Sequence, residues 1–223
     1  MELDDRSLTE QGLEPAVADS SGRVLLLACG ALAREILALI AANGWVHMDL
    51  KCLPANLHLY PEKIPDAVEA VVRQNRDAYQ TIFVVYADCG TGGLLANRCA
   101  ELGVEMVAGP HCYSFFDGND TFAARGDTEM RAFYLTDFLV RQFDAFVIKP
   151  MGLDRHPQLR DMVFGNYESL IYLAQTNDPA LDMQAKAAAD RLGLKYERRF
   201  TGYGDLTLAL TDVAKGVSAH QAD

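Results

Sequence analysis

The sequence has no CxxC pair, no Walker motif, no HExxH pair and no Gly-x-Ser-x-Gly elbow. Those gaps remove the commonest signatures of structural zinc fingers, nucleotide triphosphatases, zinc proteases and α/β-hydrolases. No apolar run approaches the ~20 residues that span a bilayer. The opening, "MELDDRSLTEQGLEP", is acidic and polar rather than a secretory signal. A soluble, cytoplasmic protein with no membrane partner is expected. Basic residues are also scarce, 20 against 31 acidic, for a net charge of −11. A phosphate backbone is repelled by that field, so no nucleic-acid partner is expected. The cysteine count is five. An odd count with no export signal speaks against a disulfide framework and for thiols that are buried, metal-binding or catalytic.

What is present is hydrophobic material, half of the 223 residues, enough for a sizeable core. "RVLLLAC", "WVHMDLKCL", "QTIFVVYADC" and "VEMVAG" read as strands, and helical patterns separate them. "DAFVIKPMGLD" reads as a further strand. "PALDMQAKAAADRL" reads as an amphipathic helix with Met183, Ala187 and Leu192 inward, followed by a strand. The fold class expected is α/β: a Rossmann-like, mostly parallel sheet with helices on both faces, as one unit or two similar lobes. Residues 1–22 read as a flexible arm, 23–212 as one α/β domain and 213–223 as a tail.

Two units share a plan. "VLLLACGALAREILALIAANG" and "IFVVYADCGTGGLLANRCAELG" each run strand, Cys-Gly, helix, Gly. Cys29 and Cys89 therefore fall where a parallel strand ends and a helix begins, the edge at which open α/β sheets bind ligands. Cys112 follows the next apolar run. Three thiolates leave one position open on tetrahedral Zn²⁺, and they can equally hold a [4Fe–4S] cluster with a free iron. The competing account is three small core residues, since cysteine is often buried. Cys52 and Cys99 read as packing.

Other residues join on chemistry. His111, beside Cys112, suits a ligand, a general base or an exposed loop position. Asp88 suits a proton-handling or orienting role, or the cap of the helix after it. Glu35 suits a proton-handling group or a solvated helix face. Arg155, Asn166, Tyr167 and Tyr113 are candidate substrate contacts, or ordinary turn and core residues. "CGTGG" lacks the dinucleotide spacing, though free amides in such a turn can bind a small anion.

Together "ACGAL…E", "DCG", "HCY", "FYLTDFL" and "GLDRHP…FGNY" resemble a bacterial and archaeal family known as a domain of unknown function, over Arg23 to Leu210. Its members are often encoded beside corrinoid-dependent methyltransferases. The resemblance implies a role near one-carbon transfer and places the family's recurrent cysteines on Cys29, Cys89 and Cys112. The function expected is a cysteine-ligated metal protein, zinc favoured over [4Fe–4S]. It would be an enzyme of transferase or lyase type acting on a small metabolite, with a corrinoid protein or methyltransferase as partner. Two alternatives stand: a non-catalytic accessory or carrier protein, and a metal-free thiol enzyme with Cys89 as nucleophile and His111 as base.

Overall fold

The computed structural model describes residues 3–16 and 20–220. The chain divides into two compact units, residues 1–112 with 205–223, and residues 113–204. Each has its own parallel sheet flanked by helices, an α/β, Rossmann-like arrangement. Among the described residues no helix is long and apolar enough to cross a membrane.

In the first unit the strands are β1 (Val24–Cys29), β2 (Met48–Leu53), β3 (Thr81–Val85) and β4 (Glu105–Met106), ordered β2-β1-β3-β4. All six β1 residues are buried, which explains its unbroken apolar run: it is central and covered on both faces. The helices are α1 (Asp5–Glu10), α2 (Ala33–Asn43), α3 (Ile64–Asn75) and α4 (Leu94–Leu102), with a 3₁₀ turn, Gly30–Leu32, ahead of α2. Gly44 closes α2 and Gly103 closes α4, both left-handed. β4 is only two residues long, where the sequence suggested a full strand.

The stretch read as an arm contains α1, whose N-cap is Asp4, and Leu8 within it is buried. Leu13 and Cys52 exchange backbone hydrogen bonds of 2.9 and 2.8 Å. Gly30 is required here by close approach, since a Cβ would lie 2.4 Å from the Leu8 carbonyl oxygen.

The order of strands matters for the site. The chain steps from β1 to β2 on one side, then crosses back to place β3 on the other side of β1. The switch point therefore lies between β1 and β3, and the crevice for a ligand opens beyond their carboxyl ends.

In the second unit the strands are β5 (Ala132–Leu135), β6 (Ser169–Ala174) and β7 (Lys195–Phe200), ordered β5-β6-β7. The helices are α5 (Cys112–Asp117), α6 (Asn119–Arg125), α7 (Asp137–Arg141), α8 (Arg160–Phe164) and α9 (Pro179–Leu192). α10 (Gly204–His220) then returns to the first unit and runs through the stretch read as a tail. Residues 144–148, expected as a strand, form a π-helical turn whose Phe146, Val147 and Ile148 are buried. A short apolar run looks alike in a buried strand and a buried helix. In α9 the inward residues are Leu181, Ala185, Ala188, Ala189 and Leu192, while Met183 and Ala187 are exposed.

One buried carboxylate ties this unit together. Asp137 accepts from the Tyr172 hydroxyl at 2.7 Å, the Gln175 amide at 3.0 Å, and the Thr176 amide and hydroxyl at 3.1 and 2.6 Å. Its own amide donates to Gln175 Oε1 at 2.7 Å. The carboxyl ends of β5 and β6 are thereby locked to each other.

Candidate thiol site of the first unit

The loop between β3 and α4 is built around Asp88. Its carboxylate accepts from Thr91 Oγ1 at 2.7 Å, the Gly93 amide at 2.7 Å and the Gly92 amide at 3.0 Å. The glycine amides that might have cradled an outside anion are thus satisfied from within. The turn needs Gly90, Gly92 and Gly93 at φ of 82°, 63° and 86°, and Cys89 sits among them at φ 49°. Cys89 is the only non-glycine residue with positive φ among the described residues. A side chain held there stores backbone strain, which concentrates at functional positions.

The Thr91 hydroxyl, and then the Gly93 and Gly92 amides, hold the Asp88 carboxyl below its ordinary value of 3.8. A depressed carboxyl stabilises the fold above its unfolded value and stops doing so as pH falls through its folded value. The Asp88 contribution is therefore expected to start falling near pH 3.8 and to be lost as pH drops through the lower folded-state value. Asp88→Ala should lower stability at neutral pH by about 1–2 kcal/mol, because the Thr91 hydroxyl and two glycine amides lose their acceptor. Its acid-unfolding profile below that pH should be flatter than the parent's. Superimposable profiles would show that Asp88 does not hold the turn.

The same turn is laced to the segment after β4. The Asp88 amide donates to Gly109 O at 3.1 Å and the Cys89 amide to Pro110 O at 3.0 Å. This carries His111 and Cys112 alongside Cys89, and the Cys112 backbone N–H donates to the Cys89 sulfur. Cys29 ends β1, the neighbour of β3, and lies within electrostatic reach of Cys89. Its sulfur receives the Ala31 backbone N–H and has the Tyr86 hydroxyl close by.

Burial dominates the titration of both thiols. It pushes Cys89 up to about 12, with the neighbouring Cys29 adding to the rise, while N–H donors at Ala87 and Cys112 pull weakly the other way. Cys29 is raised for the same reason, against donors at Ala31 and Tyr86. Both are neutral thiols at physiological pH.

The rest of the predicted set falls as follows. Glu35 is buried, 3% exposed, rather than on a solvated face, and lies within electrostatic reach of Cys52. Cys52 is buried near Cys29, yet its register partner is Ala28. Side chains alternate along a strand, so Cys52 stands one pleat out of phase with Cys29. Cys99 is buried within α4. His111 is half-buried, and burial lowers its pKa. His58, which the sequence gave no reason to single out, lies within reach of His111, and its pKa is lowered by burial and then by that neighbour.

Tyr86 was also missed. Its one visible signal was a phenol just after an otherwise hydroxyl-free apolar run, "IFVVY", where a buried hydroxyl needs a partner.

Arg155, Asn166, Tyr167 and Tyr113 belong to the second unit. Tyr113 stacks on Tyr134 with ring centroids 5.6 Å apart, and Tyr167 packs edge-on to Phe133 at 5.8 Å. Phe133 and Tyr134 are successive residues of β5, so the two tyrosines serve opposite faces of that sheet. Arg155 and Asn166 are exposed.

Among the described residues no three His, Cys, Asp or Glu side chains stand ready as metal ligands. A groove of about 830 Å³ in the first unit is lined by Tyr79, Thr81, Gly103, Val104 and Asp212 among others. It lies at the amino ends of β3 and β4, away from the thiols.

No curated protein and no solved structure matches the chain. One family model does, over residues 52–210, which takes in Cys52, Cys89 and Cys112 and begins after β1 and Cys29. By that match over most of its length, the chain belongs to the protein-of-unknown-function family DUF1638.

Proposed function

We propose that the carboxyl edge of the first unit is a cysteine-ligated metal centre, with Cys29 and Cys89 as its core ligands and Cys112 as the third. The observation that supports this is that Cys29 and Cys89 lie at or beyond the carboxyl ends of neighbouring strands β1 and β3, within electrostatic reach of each other and with backbone N–H groups near each sulfur. Two thiols made neutral by burial are poor nucleophiles. The same pair beside N–H donors suits a thiophilic dication, which would offset the desolvation that disfavours thiolate. The elevated Cys89 thiol thus favours a metal ligand over a free nucleophile. Because no ligand set is preformed, binding would require the thiols to turn toward one another.

Zn²⁺ is the favoured ion and a [4Fe–4S] cluster the alternative. Zn²⁺ would supply Lewis acidity toward a small metabolite. In this reading His111, next in sequence to Cys112, and Glu35, buried within electrostatic reach of Cys52, would handle protons. The substrate class, a methylated amine or betaine handled beside a corrinoid protein, rests on the family resemblance. Arg155 and Asn166 are exposed on the second unit, and the rings of Tyr113 and Tyr167 are engaged in packing there, so none of the four is assigned to this centre.

The test is metal per chain after anaerobic purification, with an absorption spectrum to separate colourless zinc from brown iron–sulfur. Cys29→Ser and Cys112→Ser are expected to be folded and metal-poor, because two thiolates form an incomplete site. Cys52→Ser and Cys99→Ser should keep the metal, though less stable by roughly 1–3 kcal/mol if the new hydroxyl finds no partner. Equal metal in all four would remove the proposal.

A further inference from the structure

We propose that the amino edge of the first unit is a self-association face whose occupant is a second copy of this chain. The inference draws nothing from the metal reading, and the face lies at the opposite end of the sheet from the thiols.

The groove of about 830 Å³ at that edge supplies a recess. One of its walls is α10, through Ala209, Val213 and Gly216. They recur at helical spacing, so they share a helix face, and none is larger than valine. A face of such short side chains lets a second helix approach closely. The same helix supplies a projection. Leu208 is 63% exposed, and Asp212, a lining residue of the groove, stands one turn further along the same row. A twofold interface needs a recess and a projection on one surface, because each copy must present what the other accepts. α10 carries both side by side, so Leu208 of each copy can enter the groove of the other. Charge obeys the same rule. Arg76, held by its hydrogen bond to the Leu102 carbonyl, and Asp212 both line the groove and are both exposed. A twofold axis sets Arg76 of one copy toward Asp212 of the other, whereas a partner of single sign meets like charge at one of them.

The net charge of −11 opposes association at long range, so a dimer of micromolar rather than nanomolar strength is expected. Sedimentation equilibrium of the full-length protein from about 1 to 300 µM should show monomer and dimer in exchange. Leu208→Asp would carry a carboxylate into the other copy's groove, and Ala209→Arg would fill the recess. Each is expected to weaken the dimer about 30-fold or more. Neither side chain is buried, so circular dichroism should show both variants folded. Arg76→Asp and Asp212→Arg should each weaken the dimer about 3- to 10-fold, and the two together should return it toward the parent. Leu94→Asp alters a comparably exposed leucine at the carboxyl edge, where α4 begins, and should leave the equilibrium unchanged.

A parent that stays monomeric at every concentration would overturn the proposal, whatever else the groove then holds. So would a dimer that survives both Leu208→Asp and Ala209→Arg, or one that Leu94→Asp dissociates equally, since the face would then lie elsewhere. Growth beyond the dimer, or charge reversals that add rather than cancel, would overturn the twofold arrangement.

Discussion

Cys89→Gly is expected to abolish metal binding and yet yield a more stable chain than Cys89→Ala. Both substitutions remove the sulfur, so on the proposed reading both should purify with almost no metal where the parent is expected to carry it. They differ at the backbone. Residue 89 is held at φ 49°, a region that a Cβ disfavours by roughly 1–2 kcal/mol and that glycine enters freely. Glycine gives part of that gain back through the larger entropy of its unfolded chain, about 0.5–1 kcal/mol. The net expectation is a metal-free glycine variant more stable than the alanine variant by roughly 0.5–1 kcal/mol, read from paired urea titrations. Such a result would mean that cysteine is kept at 89 in spite of the backbone and for the sake of its sulfur. Equal stabilities would show that the turn carries no strain, and metal retained by either variant would exclude Cys89 as a ligand.

Asp137→Ala should be the most destabilising single change in the second unit, at about 3–5 kcal/mol. The carboxylate is 1% exposed and answers four donors: the Tyr172 hydroxyl, the Gln175 amide, and the Thr176 amide and hydroxyl. Alanine leaves all four without their acceptor at the ends of β5 and β6. Tyr172→Phe removes one donor and leaves the others paired, so it should lose only about 1 kcal/mol. Asparagine at 137 restores one acceptor oxygen and sets an amide donor against the remaining donors, so its effect should fall between the two. Amide exchange in β5 and β6 should accelerate in the same order. An alanine variant within 1 kcal/mol of the parent would mean that the network is incidental to stability.

The legible parts of this chain are those where one local rule suffices. β1 and β3 announce themselves as unbroken apolar runs, and α2 and α9 end on the left-handed glycines 44 and 193. The inward face of α9 was misread because three of its five buried positions are alanines, Ala185, Ala188 and Ala189, which carry little hydropathic signal. A lone Met183 outweighed them and pulled the phase round to the solvent side. The chain crosses between the units twice, at Cys112–Tyr113 inside α5 and at Gly204–Asp205 where α10 starts, and neither crossing is a long linker that composition would mark.

The site divides in the same way. Cys29 and Cys89 could be placed on one edge because strand-Cys-Gly-helix fixes each by itself. Asp88 offered both a chemical and a capping role, and its carboxylate is occupied by its own turn. Tyr86 and His58 depend on which strand neighbours which and on how two loops fold back, neither of which is written in local pattern. Glu35 looked like a surface carboxylate because helical periodicity cannot show that a first-turn residue is buried within electrostatic reach of Cys52.

The division of the chain also sets an order of events during synthesis. The first unit is discontinuous: α10, with Leu206, Leu210 and Ala214 buried, comes from residues made after the second unit. The second unit is one unbroken segment, 113–204, and leaves the ribosome whole before α10 does. The usual rule that the amino-terminal domain is completed first cannot hold for this unit, whose core includes a segment made after the second unit. The sheet that carries Cys29 emerges early and lacks α10 until translation has passed through residues 113–204.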